Sequence, residues 1–410
     1  MKKIIYLFCC ILLNYTIIAQ DTNLVAGPMI SYIDGYSTQM WFLLKQDALK
    51  IEVDIRDYDE DKLLEYDFDV TNKYNFDNYV PFTVSLDKLL PNTEYIASIY
   101  VDGVFIKELD LFTKRSHLDD TQFILGYNIS EESSPSLFTH MRRTNSDFMI
   151  WLGGHVTFDE NINYDRMINN YINIRKKKEL NKFMYSVPQI ASWSDLDYGP
   201  SGSGSNWALK DSAYLAFTHF WPNALHKTYN YTYYDYGLYQ RYSYNDVDVF
   251  LLDSRTFKES PSHNATLYGD KQVERLFQEI NNNGATFTVI ASPSPFTFDS
   301  EDSFLNYQKQ FEYFMYRLRV SGTEGVILVS TGSSDNTEMY EYDLSETKWN
   351  DKVKPFYPLY EFNFAPLSSN MFSLIRVEGA AEKRILSFDS YNSEGSLVYR
   401  KRIHESELKN

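Results

Sequence analysis

The sequence predicts an all-β sandwich over residues 22–115 followed by a layered α/β domain over residues 121–410. Three observations predict it. Short apolar or alternating runs separated by turn residues fill the first part, strands alternate with helically spaced segments through the second, and a leader precedes both.

The leader comes first. Lys2 and Lys3 stand before an apolar run from Ile4 to Leu13, and Ile18-Ala19-Gln20 follows, so residues 1–20 read as a secretory signal peptide cut near Ala19 or Gln20. Cys9 and Cys10 lie inside that run and are the only cysteines, so the mature chain has no disulfide, thiol catalysis or Cys–metal site. No other apolar run reaches about 18 residues, and the expectation is an exported protein without a transmembrane segment, in the periplasm rather than outside the cell. The formal net charge of −17 becomes more negative once the two leader lysines are gone, which makes nucleic acid a poor partner. Aromatic residues make up 17% of the chain, and their densest cluster is Tyr229, Tyr231, Tyr233, Tyr234, Tyr236, Tyr239, Tyr242 and Tyr244. That cluster is expected to serve local packing first and a contact surface second.

In the sandwich, Met40–Leu44, Lys50–Ile55 and Phe82–Leu86 have strand length and pattern. Leu90-Pro91-Asn92-Thr93-Glu94-Tyr95, leading into the alternating Ile96–Val101, resembles the tyrosine-corner entry to a late strand of a fibronectin-III or immunoglobulin-like sandwich. Asp102-Gly103 supplies the following hairpin turn. In the second part, Asp147–Leu152, Val247–Asp253, Ala285–Ser292 and Gly325–Ser330 are apolar strands, buried on both faces. Between them Gly269–Ile280 and Phe304–Leu318 show helical spacing, and Lys176-Lys177-Lys178 reads as a solvated helix face. Ligands of such folds sit where strands end and loops begin.

At those loop positions Leu267-Tyr268-Gly269-Asp270-Lys271-Gln272 and Ala365-Pro366-Leu367, with the segments that follow, resemble the alkaline phosphatase D (PhoD-like) metallophosphatases, which implies a calcineurin-like metallophosphatase domain. Phe220-Trp221-Pro222-Asn223, Gly237-Leu238-Tyr239 through Leu251-Leu252-Asp253-Ser254-Arg255, and Tyr357-Pro358-Leu359-Tyr360-Glu361 are similar to family segments in the same order. Trp193-Ser194-Asp195-Leu196-Asp197-Tyr198-Gly199-Pro200 resembles a Trp-Asp-Asp-His-Asp-Tyr-Gly-Pro-type loop. The resemblance implies a two-metal phosphoric ester hydrolase, with carboxylates, His and Asn supplied by several loops.

Those ligands are largely missing. A Gly-Ser-Cys pattern reads Gly126-Tyr127-Asn128, and Leu-Gly-Asp reads Leu152-Gly153-Gly154. In the third loop Ser194 and Leu196 replace an Asp and a His, leaving Asp195 and Asp197; in the fourth, Ser333, Ser334 and Asp335 replace Asp, Arg and His. Losses in four loops imply a protein without metal cofactor or catalytic residue, kept for docking to an envelope or outer-membrane protein of a Gram-negative bacterium. By analogy with leaders ending in Ala-Gln, a type 9 secretion translocon is one such partner. The alternative is a divergent phosphodiesterase or alkaline phosphatase with a rebuilt site holding one or two divalent ions. Asn128, His155, Asp195, Asp197 and Asp335 are the residues from which such a site would be built. A pocket that binds a small ligand without hydrolysis is the third reading. The plainest reading has Asp195 and Asp197 bracing their loop and His155 exposed.

Overall fold

The computed structural model describes residues 22–58, 63–71, 75–113, 118–130, 133–222, 233–281, 284–332, 334–343 and 357–409. The leader, Asn223, His226, Tyr229, Tyr231 and Ser333 lie outside the described residues.

The first part carries β1 (Leu24–Ile33), β2 (Thr38–Lys45), β3 (Lys50–Asp57), β4 (Leu63–Asp69), β5 (Tyr79–Leu86), β6 (Glu94–Val101) and β7 (Val104–Phe112). They form two antiparallel sheets, ordered β1-β2-β5 and β4-β3-β6-β7, closed over a core that includes Ile30, Met40, Phe42, Val53 and Ile99. The period-2 burial of β3 and β6 is what one solvated face requires. Tyr95 is buried, and its hydroxyl accepts from the Leu90 N–H at 2.8 Å, the tyrosine-corner bond read from the sequence. Asp102 and Gly103 both take positive φ (52° and 74°), as a tight hairpin turn demands. The unbroken apolar run in β2 has a separate cause. Met40, Phe42 and Leu44 face the sandwich core, whereas Trp41 and Leu43 pack with Ala26 and Met29 into the core of the second part.

The second part contains β8 (Thr121–Gly126), α1 (Pro135–Arg143), β9 (Phe148–Leu152), α2 (Tyr164–Arg175), α3 (Lys178–Met184), β10 (Gln189–Ser192), α4 (Asp195–Tyr198), α5 (Lys210–Phe220), α6 (Tyr233–Tyr236), β11 (Gln240–Tyr244) and β12 (Val247–Leu251). It continues through α7 (Asp270–Ile280), β13 (Phe287–Ser292), α8 (Gln308–Ser321), β14 (Val326–Thr331), β15 (Glu338–Tyr342), β16 (Leu359–Phe364), β17 (Met371–Glu378), β18 (Ile385–Asn392) and β19 (Leu397–His404). Two mixed six-stranded sheets result, ordered β10-β9-β8-β17-β18-β19 and β11-β12-β13-β14-β16-β15. They pack face to face, with Phe148 against Tyr242 at 4.8 Å between ring centroids and Phe362 stacked on Phe388 at 4.4 Å. Helices α7 and α8 join that core, while α1, α2, α3 and α5 cover the other face of the first sheet. This is the layered α/β domain behind a β-sandwich that the patterning predicts.

Two expectations about side chains need revising or refining. The Lys176-Lys177-Lys178 run is a break between helices and not a face: Lys176 caps the end of α2, Lys177 precedes α3, and the Lys176 ammonium lies 3.9 Å over the Tyr79 ring. A cation there complements the negative end of the helix dipole. Of the tyrosine cluster, Tyr233, Tyr239, Tyr242 and Tyr244 are buried and Tyr234 is exposed. Finally, no helix among the described residues is long and apolar enough to cross a membrane.

Candidate functional site

The loops singled out in the sequence follow the C-terminal ends of β8, β9, β10 and β14, at one edge of the two sheets. How each is filled decides what the edge can do.

The loops after β8 and β9 are zipped together. The Asn128 N–H donates to the Gly153 carbonyl at 3.1 Å and the Ile129 N–H to the Gly154 carbonyl at 2.8 Å. Gly154 has φ +67°, and a Cβ there would stand 2.5 Å from Asn128 Cα and 2.6 Å from its nitrogen. Backbone therefore occupies the space that a carboxylate at position 154 would need. Gly153 is equally tight: a Cβ there would lie 2.1 Å from the Ser194 nitrogen. Asn128 itself, at φ 54°, turns its amide to the Ser368 hydroxyl at 3.3 Å.

The loop after β10 forms the short α4. Ser194 is its N-cap, and the buried Asp197 accepts from the Ser194 N–H at 2.7 Å and the Ser194 hydroxyl at 3.2 Å. The other Asp197 oxygen accepts from His155 Nδ1 at 2.5 Å and from the His155 N–H at 3.3 Å. Asp197 thus braces its loop as the plain reading expected, but His155 is 1% exposed and not at the surface. Its ring sits among Trp151, Phe217 and Trp221, with the Trp221 centroid 4.4 Å away. Burial pushes the imidazole pKa down, against the pull of Asp197, which favours the neutral ring with its proton on Nδ1.

Asp195 and Leu196 are half-buried. Asp195 faces a basic pair that the loop resemblance alone did not reveal. Arg255 and Lys258 both donate to Asp302, Lys258 at 2.7 Å. Burial raises the Asp195 carboxyl above its usual range, with Arg255 opposing. For Asp302, Arg255 and Lys258 outweigh burial and hold the carboxyl below that range. Tyr127, mostly buried beside Asp195 and Asp197, has its phenol pushed well up by burial. The serine-glycine loop that follows is anchored at its far end. Gly204 is buried, its carbonyl accepts from the Tyr198 hydroxyl at 3.0 Å, and the Ser205 N–H donates to Lys258.

In the fourth loop Asp335 is exposed and accepts from the Ser369 hydroxyl at 3.1 Å, while Ser334 bonds Glu338 at 3.3 Å. The structure therefore brings His155 and Asp197 together, sets Asp195 toward Arg255, and ties Asn128 and Asp335 to separate serines. Among the described residues no three His, Cys, Asp or Glu side chains form a group able to hold a metal ion.

Two buried carboxylates hold the frame beneath the edge. Asp253 accepts from Trp193 Nε1 at 2.9 Å, the N–H groups of Leu238, Arg255 and Thr256, and the Thr256 hydroxyl. Glu361 accepts from the N–H groups of Phe296 and Thr297 and from the Thr297 and Ser330 hydroxyls.

The family model of PhoD-like phosphatases matches residues 128–374, more than half of the chain. The fold is similar to the solved structure of PhoD, with a TM-score of 0.73 over 94% of this chain and 92% of that one, at 14% identity. A sensor domain of an anti-sigma factor in Pseudobacteroides cellulosolvens (12% identity, 23% of this chain, 89% of that one) has a TM-score of only 0.18 and carries no argument. No curated protein sequence matches the chain. The ordered motifs, the layered sheets and the family match agree: this chain belongs to the PhoD-like phosphatase family.

Proposed function

We propose that the protein is a non-catalytic member of its family, an exported periplasmic accessory protein whose phosphatase frame serves as a docking scaffold for an envelope or outer-membrane partner. The observation that carries this reading is the closure at Gly154, where the Asn128 backbone fills the space a bridging carboxylate would need. Two further features support it. Asp197 is committed to His155 and Ser194, and Asp335 stands apart with Ser369. Without a pair of ions there is no activated water and no charge clamp for phosphoryl transfer. The leader supports export to the envelope, and the intact frame around a stripped site supports a scaffold role.

The test is metal content after dialysis of the mature protein against mixed Mn, Fe, Zn and Ca, followed by aryl phosphate hydrolysis. The expected result is under roughly a tenth of an equivalent of metal and turnover equal to buffer. Gly154→Asp is expected to restore neither. It should lose about 3 kcal/mol of stability through left-handed backbone strain and overpacking. Two equivalents of metal with turnover would overturn the proposal. Failure of a tagged copy at native level to recover any envelope protein stoichiometrically would remove its docking part.

A further inference from the structure

Arg175 is a buried cation without a carboxylate partner among the described residues. It ends α2 and is 1% exposed. Its Nη2 donates to the Phe220 carbonyl at 2.7 Å and its Nη1 reaches the Met184 sulfur at 2.7 Å. The guanidinium carbon lies 4.0 Å from the Trp221 ring centroid and 5.1 Å from that of Trp41. Burial lowers its pKa to about 9, which still leaves it charged at neutral pH. Cation–π contact offers about 2 kcal/mol when desolvated, against an effective penalty of several kcal/mol for burying the ion. Two bonds to neutral acceptors narrow that gap but add no opposing charge.

Among the described residues three donors around this charge have no partner: Arg175 Nε, the Tyr171 hydroxyl and Trp221 Nε1, each closed off from solvent. Tyr171 is one helical turn before Arg175, on the same face of α2, and its ring stacks on Phe220 at 5.0 Å, next in sequence to Trp221. Leaving each such donor unmade costs about 1–3 kcal/mol. A water molecule would meet the donors and leave the charge; an anion meets both. The fourth orphan nearby, His155 Nε2, is an acceptor in the neutral ring and stands outside the donor set. Tyr171, Arg175 and Trp221 are all almost fully buried, which favours a small monovalent guest, since a multivalent oxyanion loses far more hydration on entry.

We infer that Arg175, Tyr171 and Trp221 form an internal binding site for a small monovalent anion of chloride or bromide size, between α2 and the end of α5. Such a guest would tie α2 to α5 behind the loops where the family resemblance places metal ions. Because Trp41 of β2 also faces Arg175, it would brace the joint between the two parts of the chain.

The experiment exchanges gluconate for bromide at constant ionic strength and follows the melting temperature of the mature protein. A rise that follows mass action is expected. Tyr171→Phe removes one O–H and keeps the ring, and should raise the half-saturating bromide concentration about tenfold. Crystals grown in bromide should show anomalous scattering beside Arg175 Nε, Tyr171 Oη and Trp221 Nε1. A melting temperature that responds to bromide equally in Tyr171→Phe and the parent, or a water without anomalous signal at that place, overturns the inference. The crystallographic arm needs no variant, so a poorly folding substitution does not shield the idea.

Discussion

Two sets of polar side chains stand at the same edge of the sheets, and they are held very differently. Asp253 and Glu361 each accept several hydrogen bonds from separate segments, so each ties loops directly to one another. At the metal-type positions Gly154 offers no side chain, Asp335 is exposed, and Asp195 makes no hydrogen bond through its carboxylate among the described residues. A carboxylate that joins loops directly is defended by the stability of the fold. One that joins them only through an ion is undefended once the ion is not held. Asp197 marks the border between the two sets, a ligand-type residue that has taken a bracing role.

The comparison can be broken most forcefully at Asp253. Asp253→Ala strands three backbone N–H groups, an indole N–H and a hydroxyl, and is expected to cost about 5 kcal/mol in denaturant unfolding. A loss below about 1 kcal/mol would show that the hub is ornamental. The two aspartates of α4 give the next contrast. Asp197→Ala should cost about 3 kcal/mol, because it removes an N-terminal brace and the partner of buried His155, whereas Asp195→Ala should stay within about 0.5 kcal/mol. The reverse order in urea midpoints would show that Asp195, and not Asp197, braces the loop.

The smallest effect concerns pH. His155 has a folded-state pKa below its ordinary value of 6.5, so below that value the unfolded chain binds more protons than the folded one. Its contribution is therefore present above 6.5 and fades as pH falls from there toward the folded value. His155→Asn, which keeps an N–H for Asp197 and does not titrate, should flatten that part of the melting-temperature profile. The Asp302 contribution, from a carboxyl held below its ordinary value of 3.8 and lost only in stronger acid, should persist in the variant. A parent profile that is already flat between neutrality and the mildly acidic range would contradict the burial argument for His155.

How much of this was legible follows from what leaves a trace in sequence. Strands β9, β12, β13 and β14 are buried throughout, so they read as apolar runs. Tyr95 and Asp102-Gly103 announced themselves because a corner bond and a positive-φ turn each need particular residue types. Strand β18 left no such trace: its buried Ser387, Asp389 and Ser390 look like solvent residues, and for the last two the explanation lies in partners from other strands and loops, Arg400 on Asp389 and the Ser373 and Thr337 hydroxyls on Ser390. At the site the missing ligands were readable one by one, but the Asn128 backbone closing over Gly154 was not, since close approach has no composition. The burial of His155 and the role of Arg175 were also missed. Both owe their surroundings to rings from separate elements, Trp151 of β9 and Phe217 of α5 with the following Trp221, and such a meeting leaves no local pattern in the sequence.

The two-sided burial of β2 bears on how the chain is made. Synthesis proceeds from the N-terminus, so the seven strands of the sandwich can pair long before α5 exists. Ala26, Met29, Trp41 and Leu43 then form a finished but uncovered apolar flank until residues as late as Phe220 arrive, and the Trp41 indole waits for the His219 carbonyl. The nascent sandwich is thus adhesive on the side that later becomes interior, and chains broken off before α5 should be the ones that clump.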